Sequence, residues 1–172
     1  MNIVLGVSGG IAAYKAADLC SKLVQHGCNV QVIMTGSAQE MVTPLTFATL
    51  SKHNVITDLF NSYECRPEHV AVADTADWCI VAPATANIIG KYANGIADDA
   101  LSTFLLTFRK PVWLAPAMNP NMWQSPAVQR NIAQLQLDGV KIIGPAYGHV
   151  ACGADGIGRM ESVENILQFL PL

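Results

Sequence analysis

The segment PAMNPNMW, residues 116–123, sets two asparagines, two methionines and a tryptophan between prolines, directly after an apolar run. A neutral amide such as that of Asn119 donates hydrogen bonds to an acid group without adding a full positive charge. Methionine side chains are polarisable and conformable, so Met118 and Met122 suit contact with a planar ring or a sulfur atom. These residue types indicate a binding site for an acid and a ring, with a Pro/Asn turn over core methionines as the alternative.

A second segment, VSGGI at residues 7–11, joins an apolar run to a helical pattern. Glycines let the backbone approach an anion closely, and a helix N-terminus supplies N–H groups and positive potential. The dinucleotide spacing GxGxxG is absent, and residues 34–37, MTGS, carry hydroxyls where a carboxylate would hold the ribose of NAD. Thr35 and Ser37 therefore favour the phosphate of a mononucleotide, with simple turn chemistry as the alternative.

Short apolar runs, each followed by turn residues and a helical pattern, predict the elements that must position these segments. The predicted strands are residues 3–7, 30–34, 78–82, 111–115 and 140–143, and the predicted helices are 11–26, 85–95, 97–108, 124–138 and 161–170. Strands that alternate with helices predict a parallel sheet covered on both faces. We therefore predict an α/β protein, a three-layer α/β/α sandwich with flavodoxin-like or Rossmann-like strand order, as one domain over residues 1–172.

In such sheets, ligands lie beyond the carboxyl ends of the strands. Two predicted strands end in the same tripeptide, in APATAN (residues 82–87) and APAMNPNMW (residues 115–123), which indicates two walls of one site. Near the C-terminus, ACGADGIGRM (residues 151–160) contains glycines that would let a loop fold over a bound substrate. Asp98 and Asp99 are predicted to lie in a first helical turn, where acids complement the helix dipole.

Composition excludes several classes of function. The net charge of −3 and the absence of a Lys/Arg cluster argue against binding to nucleic acid. Five cysteines without CxxC or His/Cys zinc spacing indicate neither a disulfide framework nor a metal site, and fit a reducing, cytoplasmic location. No apolar run reaches the ~18 residues of a membrane span.

Taken together, PAMNPNMW, PATAN (residues 83–87) and ACGADGIGRM resemble the motifs of the flavin-dependent cysteine decarboxylases, a family that acts on phosphopantothenoylcysteine or on peptidyl-cysteine. The three motifs occur in the family's order, and the resemblance covers nearly the whole chain. PAMNPNMW fits the pattern Pro-x-Met-Asn-x-x-Met-Trp at every fixed position. Thr85 and Ile88 stand where the family pattern has serine and threonine, and Gly10 stands where some members have serine.

The resemblance implies an FMN-dependent enzyme that converts 4'-phosphopantothenoylcysteine to 4'-phosphopantetheine and CO2 in coenzyme A biosynthesis. In this family, FMN oxidises the cysteine thiol to a thioaldehyde, so that the carboxylate lies β to a C=S group and departs readily. The reduced flavin then reduces the resulting enethiol. The protein supplies position and electrostatics for this chemistry.

The resemblance also implies roles for individual residues. His69 would be the active-site base, Asn119 would hold the substrate carboxylate, and Cys152 would give the proton when the enethiol is reduced. The residues carried over as flavin contacts are Ser8, Gly9, Gly10, Ile11, Thr35, Ser37, Thr85, Ala86, Asn87, Ile88, Ala117 and Met118. Ser8 is included as a substitute for the hydroxyl missing at Gly10.

Several alternatives and partners follow from the same resemblance. One rival is a lantibiotic-type peptidyl-cysteine decarboxylase, which stops at the enethiol and lacks the cysteine at position 152. Another is a non-catalytic relative that regulates protein phosphatases, although such relatives carry long acidic extensions; a flavin prenyltransferase would not be expected to show the Asn119 and Cys152 motifs. The expected partners are a small-molecule substrate, further copies in a homotrimer or homododecamer, and a separate ligase, since the sequence ends at Leu172.

Overall fold

The computed structural model describes residues 1–59, 68–149, 153 and 155–172, with the backbone alone at 68 and 69. The strands are β1 (Asn2–Val7), β2 (Asn29–Met34), β3 (Trp78–Ala84), β4 (Val112–Pro116), β5 (Lys141–Ile142), β6 (Ala146–His149) and β7 (Asp155–Arg159). The helices are α1 (Ala13–Gln25), α2 (Gly36–Gln39), α3 (Pro44–Ser51), α4 (Glu68–Thr75), α5 (Ala86–Ala93), α6 (Ala100–Thr107), α7 (Pro120–Gln124), α8 (Pro126–Leu137) and α9 (Val163–Phe169).

The first five strands form one parallel sheet in the order β2-β1-β3-β4-β5. This is the flavodoxin-like order, so the predicted fold is confirmed. The chain runs outward from β1 to β2 and then crosses to β3 on the other side of β1. The order reverses between β1 and β3, and a crevice at the carboxyl ends of these strands is where open α/β sheets bind ligands.

The core divides into two clusters because successive side chains of a strand point to opposite faces of the sheet. Ile3 and Leu5 of β1 pack in the cluster that includes α1 and α9, whereas Val4 packs in the cluster that includes α5, α6 and α8. All three side chains are at most 1% exposed. The sheet is therefore the middle of three layers, and its covered faces explain why the strands read as continuous apolar runs.

The edges of the sheet are short or covered. At one edge, β5 contains two residues. At the other edge, Ile56 forms an isolated bridge beside β2: its N–H donates to Val32 at 3.0 Å, and its carbonyl accepts from the Met34 N–H at 2.9 Å.

Most predicted elements are confirmed, with differences at the prolines and in short segments. The helix predicted over 124–138 is confirmed as α8, and an unpredicted short helix, α7, precedes it. Pro120 and Pro126 each occupy the first turn of a helix, where a missing N–H costs nothing. The short helices α2 and α3 and the antiparallel pair β6–β7 were not predicted. No helix in the described part of the chain is long and apolar enough to cross a membrane.

Helices α5 and α6 are joined by a charged network. Asp99 caps α6: its side chain accepts from the Ser102 N–H at 2.8 Å, and the Ser102 hydroxyl accepts from the Asp99 N–H at 3.1 Å. Lys91 of α5 lies 2.6 Å from Asp98 and 2.7 Å from Asp99. Burial alone would raise the pKa of the Asp99 carboxyl, but hydrogen bonds from Lys91 and Ser102 outweigh it, so that the pKa is lowered. The predicted helix-terminal role of Asp99 is confirmed.

We expect Asp99→Ala to lower the free energy of unfolding by about 1–2 kcal/mol, because it removes a helix cap and a partner of Lys91. Asp98→Ala is the control, since an exposed ion pair contributes at most about 1 kcal/mol. The lowered pKa means that the stabilisation is present above the unfolded-state pKa of an aspartate, about 3.9, and is lost as the pH falls through the folded-state value. Urea unfolding near pH 7 and near pH 3 measures both effects; an equal loss at the two pH values would contradict the assignment.

Candidate active site

A cavity of about 770 Å³ opens at the carboxyl ends of β1, β3 and β4, where the strand order reverses. This volume is in the upper part of the range for small-molecule sites. Its walls come from the start of α1, the loops after β3 and β4, and the hairpin β6–β7. They comprise Gly9, Gly10, Ile11, Ala12, Tyr14, Lys15, Thr85, Ala86, Asn87, Ala117, Met118, Asn119, Met122, His149, Gly158, Arg159 and Met160.

The turn after β1 approaches α2 so closely that Gly9 has no room for a side chain. A Cβ at Gly9 would overlap the Cβ of Ser37 and come within 2.7 Å of its carbonyl carbon. Ser37 is exposed beside this turn, whereas Thr35 is buried and its hydroxyl caps α2 by accepting from the Ala38 N–H at 3.3 Å. Neither hydroxyl lines the cavity, although Ser37 adjoins the glycine turn that does.

Ser8 connects the ends of β1 and β3 instead of facing the cavity. Its side chain is 1% exposed, and its hydroxyl donates to the Pro83 carbonyl at 2.7 Å and accepts from the Thr85 N–H at 3.0 Å. These bonds hold Thr85 at the cavity wall. The side chain of Ile88, another residue carried over from the family, packs in the core cluster beneath α5 and does not line the cavity.

The two loops that follow Ala-Pro-Ala line the same cavity. Ala84 pairs with Pro116 in the sheet, and the Ala117 N–H donates to the Ala84 carbonyl at 3.0 Å. Thr85, Ala86 and Asn87 follow the first strand, and Ala117, Met118 and Asn119 follow the second. The repeated tripeptide thus ends two neighbouring parallel strands at one level.

Asn119 presents its amide in a fixed orientation. Its side-chain oxygen caps α7 by accepting from the Asn121 N–H at 2.8 Å. Because the oxygen caps the helix, the NH2 group is the part of the side chain that can donate to a ligand. Met122, one turn further along α7, is half exposed at the cavity.

The hairpin β6–β7 packs against the loop that carries Asn119. The Met118 N–H donates to the Gly158 carbonyl at 2.9 Å. A Cβ at Gly158 would overlap the Met118 carbonyl oxygen, and a Cβ at Gly156 would lie 2.8 Å from the Pro120 ring. The alternate glycines of ACGADGIGRM therefore form the contact surface of a strand, whereas the sequence predicted a flexible loop.

Basic side chains on the cavity wall were not among the predicted site residues. Lys15 of α1 and Arg159 of β7 both line the cavity, and the Lys15 ammonium lies 3.5 Å from the Met160 carbonyl. Burial lowers the pKa of Lys15, the Arg159 charge lowers it further, and Glu161 and Glu164 oppose that shift. His149 also lines the cavity, with Nδ1 3.2 Å from the Asp155 carboxylate. The available signal for Lys15 was its position in the first turn of the helix that follows the glycine turn.

Two predicted catalytic residues fall on parts of the chain whose side chains are not described. His69 lies in the first turn of α4, but its side chain lies outside the described residues. Cys152 lies wholly outside them. Their roles therefore stay predictions.

The family model described as Flavoprotein matches residues 1–171. The chain is 57% identical over 170 residues to the coenzyme A biosynthesis bifunctional protein CoaBC of Bacillus subtilis. The match covers 97% of this chain and 41% of that relative. The chain thus spans about two fifths of the length of such curated relatives. Among solved structures, the FMN-dependent cysteine decarboxylase SpaF is 31% identical with a TM-score of 0.83, over 96% of this chain and 94% of that one. A mutant PPC decarboxylase complexed with pantothenoylaminoethenethiol is 27% identical with a TM-score of 0.86. That match covers 97% of this chain and 94% of the mutant enzyme's chain.

We expect Gly158→Ala to displace the hairpin from the loop that carries Asn119, at a cost of about 1–3 kcal/mol, because the added methyl group meets backbone and not a movable side chain. Amide hydrogen exchange at Met118 reports the lost bond. Gly90→Ala is the control, since its Cβ would meet the Asn131 amide nitrogen at an ordinary 3.5 Å. Unchanged protection of the Met118 amide in Gly158→Ala would contradict the packing described here.

Proposed function

Because the chain belongs to the Flavoprotein family, we propose that it binds FMN and converts 4'-phosphopantothenoylcysteine to 4'-phosphopantetheine and CO2. One observation carries the proposal: the PATAN and PAMNPNMW loops meet at one cavity, with the Asn119 amide held on its wall. The likeness to CoaBC and to PPC decarboxylase supports it.

The residues at the cavity fit a flavin mononucleotide. Gly9 and Gly10 leave backbone accessible where α1 begins, and hydroxyl groups of Thr85 and Ser37 lie on or beside this turn. Backbone groups and hydroxyls at such a turn suit a phosphate, whereas Ile11 and Met118 offer apolar surface to a planar ring. The volume of about 770 Å³ suits a cofactor together with part of a substrate.

The bound FMN would supply the electron sink that decarboxylation of a cysteine requires. The chain would supply the rest. The Asn119 NH2 would donate to the substrate carboxylate; a neutral donor holds this group without the strong ion pair that would favour the ground state. His69, carried over from the family, would take the thiol proton, a task suited to imidazole. The hairpin β6–β7 would limit access of water to the cavity.

The test compares the wild-type protein with Asn119→Asp, purified and reconstituted with FMN. Aspartate keeps the oxygen that caps α7 but replaces the donating NH2 with a negative oxygen, so the substrate carboxylate would be repelled. We expect both proteins to show a flavin visible spectrum and CO2 release to fall at least about 100-fold in the variant.

A protein that takes up no FMN would contradict the cofactor assignment, and a flavoprotein that releases no CO2 from this substrate would contradict the activity. Asn121→Asp is the control, because Asn121 contributes only its backbone N–H to the cap and does not line the cavity.

The likeness to the FMN-dependent cysteine decarboxylase SpaF supports a second candidate, the lantibiotic-type decarboxylation of peptidyl-cysteine that the motif resemblance includes. The candidates differ in the final product, a saturated thiol or an enethiol, and the proposed proton donor for saturation is Cys152. We expect Cys152→Ser to accumulate a species about 2 mass units lighter than phosphopantetheine, because reduction of the enethiol lacks its proton. Mass spectrometry of the reaction checks this. Enethiol accumulation by the wild-type protein would select the second candidate.

We also infer that copies of this chain assemble around the cavity and that the protein works in the cytoplasm. Ile11 and Tyr14 at the rim are 63% and 62% exposed, and Met122 is 48% exposed, which is apolar surface that a further copy would bury. A homotrimer or homododecamer stays a prediction, as does the partnership with a ligase.

A further inference from the structure

We infer that Arg159, with Lys15 beside it, binds the phosphate group of the substrate and thereby sets a preference for phosphorylated over unphosphorylated substrates. The inference rests on the proposed function and adds a specificity-determining residue to it. The two side chains belong to different elements: Lys15 to helix α1 and Arg159 to strand β7 of the hairpin.

Both residues line the cavity. The Lys15 ammonium lies 3.5 Å from the carbonyl of Met160, the residue after Arg159. The Arg159 side chain crosses strand β6 at Gly148, where a Cβ would come within 3.3 Å of its Cδ and Nη1 atoms. Gly148 therefore provides the space in which the Arg159 guanidinium lies over the hairpin.

Among the described residues, Lys15 and Arg159 are cations that line the cavity without a carboxylate partner. Within the described residues, no carboxylate lies in ion-pair distance of either side chain, whereas Lys22 lies 2.8 Å from Asp18 and 2.5 Å from Glu164. The nearest acid by sequence, Glu161, accepts hydrogen bonds from the Ser162 N–H and the Asn165 amide at the start of α9.

The described lining of the cavity contains no aspartate or glutamate, so a ligand that enters it meets positive charge; Glu161 and Glu164, which act on Lys15, lie outside this lining. The repulsion between the two cations acts in the same direction as burial in lowering the pKa of Lys15. An anion placed between them would be favoured by both charges. A phosphate group suits this position because the planar guanidinium donates two parallel hydrogen bonds to it, while the ammonium adds a point charge.

A phosphate monoester could come from the substrate or from FMN, and the position of Arg159 favours the substrate. Arg159 belongs to the hairpin, a different element from the glycine turn at Gly9 and Gly10, where the flavin phosphate is proposed to bind. A substrate phosphate bound by both cations would also connect the hairpin to α1.

The test uses FMN-loaded protein and calorimetric titration with 4'-phosphopantetheine and with pantetheine, which differ only in the phosphate. We expect wild type to prefer the phosphorylated ligand and Arg159→Gln to reduce the ratio of the two Kd values about 10- to 100-fold, as for loss of a hydrogen-bonded charge. The Kd for pantetheine should stay unchanged. Arg159→Lys should retain part of the preference, since it keeps the charge but loses the planar pair of donors.

Arg130→Gln is the matched control, because Arg130 is exposed on α8 and does not line the cavity. It should leave the ratio unchanged. Equal loss of affinity for both ligands in Arg159→Gln and Arg159→Lys would overturn the inference, since it would indicate a structural role for the side chain. A lost preference for FMN over riboflavin, with the pantetheine ratio intact, would overturn it in favour of the flavin phosphate.

CO2 release from the wild-type preparation separates this inference from the proposed function. A protein that releases CO2 but binds both ligands equally refutes the role of Arg159 alone. A protein that releases no CO2 refutes the proposed function.

Discussion

The site depends on a backbone contact that leaves no space for a side chain, the packing of β7 against the loop after β4. Gly158 accepts a hydrogen bond from Met118 and lies where any Cβ would overlap the Met118 carbonyl. Because both partners are backbone groups, this hydrogen bond holds the hairpin directly against the loop after β4. It therefore holds strand β7, which carries Arg159, against the loop that carries Asn119.

A second constraint aligns the parallel strands beneath this contact. The buried Ser8 hydroxyl bonds to backbone groups on either side of Ala84, so the end of β1 is fixed to the end of β3. An unpaired buried hydroxyl or amide would cost about 1–3 kcal/mol, which makes this arrangement specific. The glycine turn and the PATAN loop consequently lie side by side at the position where the strand order reverses. The fold thus brings together segments that are about 75 residues apart in the sequence.

The sequence was sufficient for the fold because its strands are buried on both faces and read as unbroken apolar runs, as Ile3 to Val7 does. It also placed both walls of the cavity, since the Ala-Pro-Ala tripeptides mark the ends of neighbouring strands. It was less informative where a side chain's partner lies far along the chain. Ser8 was predicted to contact the flavin. Its hydroxyl is instead buried against Pro83, and that burial cannot be read from neighbouring residues. Lys15 and Arg159 are 144 positions apart in the sequence. They line one cavity because the hairpin packs beside it, and the two short strands of the hairpin have little apolar periodicity.

The edges of the central sheet restrict how copies of this chain can associate. Strand β5 offers two residues to a neighbouring chain, and Ile56 already occupies the hydrogen-bonding groups of β2 at Val32 and Met34. Continuation of the sheet from one molecule to the next is therefore disfavoured at both edges, which also limits aggregation through exposed strands. Contacts between copies would then fall on other surfaces, such as the exposed Ile11 and Tyr14, and would leave the hydrogen bonds of the central sheet unaltered.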